Sequence, residues 1–380
     1  MTKKIGIITI NDYGNFGNKL QNYALKHVLE SLDFKVDSVR IESIRSESIP
    51  QKLLRLGPIG LTKAILLKGF SSVKKQPQDA YTQLLESRTS NFKSFAHKHL
   101  NEVFLNTNVI QDVQILNAYD YFVTGSDQVW NPGHPHNVLE VFFCTFAPKE
   151  KRIAYSPSFG LTVIPSKLQK YYQAWLIDLA YCSVREPSGA KLIKDLTGRE
   201  VPVLVDPTLL LSAEEWAILS SPVTAKKYIL LYYLGKVPDH VMDLAKELSL
   251  KHDLEIIQIF NKDIEETYHH GVEDFISYFK SASLVLTDSF HGTVFSIIFS
   301  VPFLVSRRVG EGIYAQMYTR LENLLELFNF NIRTIENLHL IHNIFDQDFS
   351  HSKEILEIQK GIALTYLKEA LNIQESESNV

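Results

Sequence analysis

The densest group of reactive side chains in the sequence is Gly125-Ser-Asp-Gln-Val-Trp-Asn-Pro132, where a carboxylate, two amides, a hydroxyl and an indole share eight residues. Asp127 can accept a proton from a substrate hydroxyl there, and Trp130 can stack on a sugar face. The same residues also suit a structural role, with Ser126 and Asp127 capping a helix and Trp130 filling core. A second group is Arg185-Glu186 before Pro187, a guanidinium above a helix start. Such an arginine binds phosphate or carboxylate unless it is spent on Glu186 or Asp206. In the third, Asp288-Ser-Phe-His-Gly-Thr293, His291 stands at the N-terminus of an apolar helix, where an anion is favoured and proton transfer is useful. The alternative there is a satisfied core histidine. The fourth is the opening loop: Gly14 and Gly17 flank Asn15, and Asn18 with Gln21 resembles a capping box. Its free N–H groups can approach an anion or a sugar, although a plain turn reads as well. His134 with His136, and His269 with His270, lack a carboxylate or cysteine at ligand spacing, so no metal site is expected.

Each group follows an apolar run that reads as a β-strand, and ligands of open parallel sheets bind outside the carboxyl ends of the strands. Strands are expected over Ile5 to Ile10, Phe34 to Ile41, Tyr121 to Thr124, Arg152 to Ser156, Tyr181 to Val184 and Val203 to Val205. Helices are expected over Lys19 to Ser31, Tyr81 to His99, Lys167 to Asp178 and Pro187 to Thr197. The alternation predicts a doubly wound parallel sheet. Polar, small residues around Leu211 to Lys227 mark a domain boundary, giving an N-terminal α/β domain over 1–215 and a C-terminal one over 226–350. The second half repeats the pattern, with strands Tyr228 to Tyr233, Leu254 to Phe260, Leu284 to Thr287 and Phe303 to Val305, and helices Asp239 to Leu250, Val272 to Ser281 and Thr293 to Phe299. A helix over 351–372 is expected to pack back on the N-terminal domain, ahead of a frayed tail, 373–380.

From about Ser43 to Gln78, within an insertion over about 43–80, Arg45, Lys52, Arg55, Lys63, Lys68, Lys74 and Lys75 face Glu47 alone among isoleucines and leucines. This insertion reads as surface helices covering the sheet, or as a contact with an anionic membrane surface that salt would weaken.

The chain has 380 residues, 45% of them apolar and 22% charged, which is enough for two domains and excludes disorder. A net charge of −4 advertises no nucleic-acid partner. Cys144 and Cys182 are the only cysteines and form no C-x-x-C, so a reducing, cytoplasmic setting is expected. The opening residues run straight into a strand, so no secretory leader is expected. The longest nearly apolar run, Val294 to Val305, falls well short of the roughly 20 residues of a membrane span.

Taken in order, these segments resemble the polysaccharide pyruvyl transferase family over about residues 5–335. The resemblance is carried by Gly14-Asn-Phe-Gly-Asn-Lys-Leu-Gln-Asn-Tyr-Ala-Leu25, Gly125 to Pro132, Arg152-Ile-Ala-Tyr-Ser-Pro-Ser-Phe-Gly160, Ser183-Val-Arg-Glu186, Val205-Asp-Pro-Thr208 and Thr287-Asp-Ser-Phe-His-Gly-Thr293. It implies two Rossmann-like αβα sandwich domains facing a cleft, as in B-type glycosyltransferases. The implied activity takes phosphoenolpyruvate as donor and makes a pyruvate ketal on a sugar. Donor binding is thereby carried onto Arg185 and His291, with Ser289, Gly292 and Thr293 of the same motif. Acceptor binding falls on Asn15, Gly17, Asn18, Gln21, Ser126, Asp127 and Trp130. Pro157 and Lys19 depart from the family pattern and bear on acceptor choice.

Ketal formation from an enol phosphate needs protonation of the methylene carbon, stabilisation of a cationic C2, attack by two hydroxyls and loss of phosphate. His291 as acid, Arg185 as anion clamp and Asp127 as base match those needs, and no cofactor is called for. The implied partners are phosphoenolpyruvate and a sugar or lipid-linked oligosaccharide, the latter at the inner face of the membrane. The loops Gly133 to Leu139 and Arg307 to Ala315 are expected to read the acceptor. The same two-domain cleft also serves nucleotide-sugar glycosyltransferases, and a non-catalytic carbohydrate binder would keep it too.

Overall fold

The computed structural model describes residues 2–42, 80–106, 116–133, 139–221, 226–308 and 313–373. The basic insertion up to residue 79, the tail from 374, His134 and His136, and most of the two loops expected to read the acceptor lie outside the described residues.

Six parallel strands form the first sheet: β1 (Lys4–Ile8), β2 (Lys35–Glu42), β3 (Glu102–Asn106), β4 (Tyr121–Thr124), β5 (Arg152–Ala154) and β6 (Tyr181–Cys182). Their order, β3-β2-β1-β4-β5-β6, is that of a doubly wound Rossmann sheet. It is flanked by α1 (Phe16–Ser31), α2 (Ala80–His99), α3 (Ser166–Ile177) and α4 (Pro187–Thr197). After the short α5 (Ala213–Ala217), a four-stranded parallel sheet follows, built from β7 (Tyr228–Tyr232), β8 (Glu255–Ile259), β9 (Leu284–Thr287) and β10 (Phe303–Val305) in the order β10-β9-β7-β8. Its helices are α6 (Asp239–His252), α7 (Glu265–Tyr268), α8 (Val272–Ser281), α9 (Phe290–Ile298) and α10 (Ile313–Leu327), and α11 (Ser350–Ala370) closes the fold. The expected pair of αβα sandwiches facing a cleft is therefore present. Among the described residues no helix is long and apolar enough to cross a membrane.

Parallel strands covered on both faces need continuous apolar runs, and β4, β7 and β9 are buried at every position. The two sheets share one core. Phe16, in the first turn of α1, packs against Phe92 of α2 at 5.1 Å and against Tyr232 and Phe275 of the second domain at 6.1 and 4.8 Å between ring centroids. Returning over the first sheet, α11 is tied to it where the Tyr366 hydroxyl donates to the Ala154 carbonyl at 2.8 Å.

Four local expectations change. α1 begins at Phe16 with Asn15 as N-cap, its side chain accepting from the Asn18 N–H at 3.4 Å. Asn18 and Gln21 therefore lie inside the helix, and the Gln21 amide donates to the Asn18 carbonyl instead of capping. Val203 makes a single bridge to Val184 rather than opening a strand, since Pro202 and Pro207 bracket it and neither can donate to a ladder. β3 and α10 are elements the sequence reading did not place. α9 starts at Phe290, earlier than expected, with Ser289 as N-cap.

Candidate active site

Strand order reverses between β1 and β4 in the first sheet and between β7 and β9 in the second. Loops leave such a switch point in opposite directions and open a crevice. Both crevices meet in one cavity of about 180 Å³. Asn15, Asn18, Asp127 and Gln128 reach it from the first sheet, and Tyr232, Leu234, Asp288, Ser289 and His291 from the second. Arg308, after β10, and Arg320, on α10, complete the wall.

His291 is the second residue of α9, whose N-cap hydroxyl, Ser289, accepts from the Gly292 N–H at 3.4 Å. Its Nε2 faces Asp206 Oδ2 across 3.7 Å and has no hydrogen-bond partner among the described residues. The other edge of the ring lies on Gly17 of α1, where a Cβ would clash with the imidazole Nδ1 and Cε1. Glycine at position 17 is thus what allows a helix of one domain to support the histidine of the other. Gly17→Ala would ordinarily favour a helix by up to about 1 kcal/mol. Here it is expected to displace His291 and lower kcat by about 100-fold, since misplacement by about 1 Å costs that much. A thermal melt alongside turnover checks this, because unchanged kcat would mean that the ring does not rest on Gly17.

Asp206 is the hub of the buried network. It accepts from the Ser126 hydroxyl at 2.8 Å, from Arg185 Nη1 at 2.9 Å, and from the Thr208 hydroxyl and N–H at 2.7 and 3.1 Å. Burial alone would raise its pKa, but the neighbouring His291, Arg185 and Thr208 hold it well below the usual carboxylate range.

Asp127 follows β4 in the left-handed backbone region, at φ +71°, a conformation an aspartate adopts at some cost. That turn aims its carboxylate into the cavity, where the Asn18 amide and the Gln128 N–H (2.8 Å) donate to it.

Arg185 does not stand as an open anion clamp. Its Nε donates to Glu186 at 3.0 Å and its Nη1 to Asp206, while Phe290 covers it at 4.5 Å. Burial opposes its charge, yet Glu186, Asp206 and Asp127 outweigh that and keep it firmly protonated. It faces a neighbouring cavity of about 350 Å³ instead. The guanidinium groups on the main cavity belong to Arg308 and Arg320, which the sequence reading did not single out. Arg308 donates to Asp288 at 2.9 Å, and Asp288 in turn accepts from the Leu234 N–H at 2.9 Å. Arg320 has no ion-pair partner among the described residues; its Nε is buried without an acceptor, and its Nη2 lies 2.8 Å from the Gln128 side-chain amide, whose oxygen accepts from it when the amide is turned to satisfy both groups. Burial and the nearby Arg185 lower its pKa to about 10.

Trp130 is not a sugar platform. It is fully buried, stacked on Phe143 at 4.7 Å, with its indole N–H donating to the Phe142 carbonyl. Ser126 and Gln21 are also fully buried, so they brace Asp206 and the Thr9 hydroxyl rather than touch a ligand. Gly292 packs its Cα against Thr287 and Tyr232, and the Thr293 hydroxyl donates to the Ser289 carbonyl. Cys144 and Cys182 are buried and pushed up to about 12, out of reach as nucleophiles at neutral pH.

Fold and cavity together define a two-domain α/β protein of the GT-B-like type, with its site between the sheets. The chain belongs to the polysaccharide pyruvyl transferase family, whose sequence model matches residues 15–307. No curated protein matches it by sequence. Similar solved structures include the S. aureus MnaA–UDP complex, at 13% identity over 100% of both chains and a TM-score of 0.45. UDP-GlcNAc 2-epimerase from Neisseria meningitidis bound to UDP-GlcNAc matches at 10% identity over 98% of this chain and 100% of that one, with a TM-score of 0.44. Likeness at this level assigns no residue a role.

Proposed function

We propose that the protein transfers the enolpyruvyl group of phosphoenolpyruvate onto two hydroxyls of a sugar in a polysaccharide or its lipid-linked precursor, forming a pyruvate ketal and releasing phosphate. The observation that carries this reading is the convergence on one cavity of a histidine backed by a buried carboxylate, a second carboxylate held by an amide, and two arginines. In the proposed course, His291 protonates the methylene carbon and C2 becomes cationic. A first sugar hydroxyl adds to C2 and gives its proton to Asp127. The C2–O bond to phosphate then breaks, with Arg308 and Arg320 holding the departing anion and the carboxylate, and the second hydroxyl closes the ketal. Of the two hydroxyl protons lost, one ends on the new methyl group and one on phosphate. Arg185 acts through Asp206, which orients His291. Contact of the basic segment 43–80 with an anionic leaflet belongs to the same proposal, as it would bring the site to lipid-linked acceptors.

Incubation with phosphoenolpyruvate and a panel of hexose and oligosaccharide acceptors tests the reading. Released phosphate together with an acceptor mass gain of about 70 Da, a ketal replacing two hydroxyl hydrogens, is the expected result. Tight binding of a nucleoside diphosphate with no phosphate released from phosphoenolpyruvate would overturn it. Arg320→Ala is expected to raise the KM for phosphoenolpyruvate about 10- to 100-fold and to leave the acceptor KM nearly unchanged, since hydrogen bonds to charged groups are worth about 1.5–3 kcal/mol. Steady-state kinetics with each substrate varied in turn checks this.

A further inference from the structure

A second concavity, of about 620 Å³, opens at the carboxyl ends of β7 and β8 and shares Leu234 with the cavity described above. Four aromatic residues line it, Tyr81, Tyr233, Phe260 and Tyr268. Tyr81, from the first turn of α2, is 44% exposed, and its ring lies nearly parallel to Tyr268 at 6.0 Å. Phe260, just after β8, sits at φ +71°, a left-handed conformation that costs a bulky residue on the order of 1–3 kcal/mol, and its ring packs on Phe16 and Tyr232 at 6.2 and 6.1 Å between centroids. Around the rings stand the amide of Asn261 and the carboxylates of Asp239 and Asp263. Two lysines share the wall with them: Lys236 is tied to Asp239 at 3.0 Å and Lys262 directly precedes Asp263, so cations and carboxylates on this wall are equal in number.

The chemistry of that wall selects among ligands. A phosphate-bearing ligand needs unmatched cations or convergent N–H groups, and carboxylates repel it. A neutral polyhydroxyl ligand fits on both counts: its C–H faces lie on aromatic rings, and its hydroxyls donate to acceptor-only carboxylates. The volume is that of a pocket for a sizeable ligand. The concavity is also joined mechanically to the main site. Arg88 of α2, 1% exposed, is enclosed by Phe16, Phe92, Phe260 and Tyr268 at 4.6 to 5.2 Å, and it donates to the Tyr268 carbonyl at 2.8 Å and to the Gly14 carbonyl at 3.1 Å. The wall of the concavity and the loop carrying Asn15 are thus clamped to one guanidinium.

We infer that this concavity is a carbohydrate subsite which holds the sugar units next to the one being modified, so that the protein prefers an oligosaccharide over a monosaccharide. The assignment rests on the proposed pyruvyl transfer only for what happens at the neighbouring cavity; the binding itself does not require turnover.

The test is calorimetric titration of the full chain, without phosphoenolpyruvate, with gluco-, galacto- and manno-oligosaccharides of increasing length. Affinity is expected to rise with length in at least one series. Tyr81→Ala removes an exposed ring and should flatten that rise, weakening the longest ligand about five- to tenfold and leaving monosaccharides unaffected, whereas Tyr81→Phe keeps the stacking face and should bind like the parent. Asn261→Ala is a second variant on a different element and should weaken the same ligands. Affinity independent of length in all three series, or parent-like binding by both alanine variants, overturns the inference. Length-dependent binding without phosphate release would leave the subsite standing and remove the ketal reading. Pyruvyl transfer with no effect of Tyr81→Ala on the KM of long acceptors would do the reverse.

Discussion

His291→Gln is expected to lower kcat for pyruvyl transfer by about 10²- to 10⁴-fold, the range that a positioned acid or base contributes. Glutamine fills much of the space between Gly17 and Asp206 and leaves the helix start intact, so the thermal midpoint should move little. The KM for phosphoenolpyruvate should change less than kcat, because Arg308 and Arg320 remain. Rapid-quench measurement of phosphate release, with a melt as control, separates the outcomes. A variant with near-parental kcat would take the acid role away from His291, whereas a large rise in KM alone would make the ring a binding group.

The second large effect belongs to Asp206. Asp206→Asn keeps the shape and most of the hydrogen bonds from Ser126 and Thr208, but it removes the charge that faces both Arg185 and His291. Breaking a buried ion pair from one side costs about 3–5 kcal/mol, and the lower end applies because Glu186 still holds Arg185. The loss has a pH signature. Because the folded protein holds the Asp206 pKa below its unfolded value near 4, the stabilisation is fully present above about pH 4 and disappears as pH falls further. Urea titrations should therefore show a gap between parent and variant that is constant near neutrality and narrows below pH 4. Turnover should fall together with stability, as the histidine loses the carboxylate that orients it. A variant of parental stability at pH 7 would mean that Asp206 is not the counter-charge of Arg185.

Much of the frame was legible from periodicity. The strands Tyr121–Thr124, Leu284–Thr287 and Phe303–Val305 and the helices Pro187–Thr197 and Val272–Ser281 lie where the apolar pattern places them, because buried parallel strands and one-sided helices leave strong local signals. The omitted β3 is five residues with charged or polar ends, and only Val103 and Leu105 alternate inward. For α10 a signal did exist: Leu321, Leu324, Leu325 and Phe328 follow helical spacing and are buried, which would have drawn attention to Arg320 one residue away. The site itself was half legible. Asp127 and His291 reach the cavity because strand ends carry them there. The burial of Trp130 and the sequestration of Arg185 depend on partners elsewhere in the chain, Phe143 and Asp206, and no local pattern reports such pairings. Residue type alone made Trp130 an attractive sugar platform, and packing decided otherwise.

Phe16 carries one more implication. Its ring belongs to a helix of the first sheet yet rests on Tyr232 and Phe275 of the second. The two halves have therefore been fitted to each other as tightly as the residues within either one. They are not interchangeable modules: a chimera joined near residue 220 from two distant relatives would inherit mismatched aromatic surfaces, together with a histidine whose supporting glycine comes from another lineage. Changes of specificity in such a chain are better sought in the walls of its cavities than in the recombination of its halves.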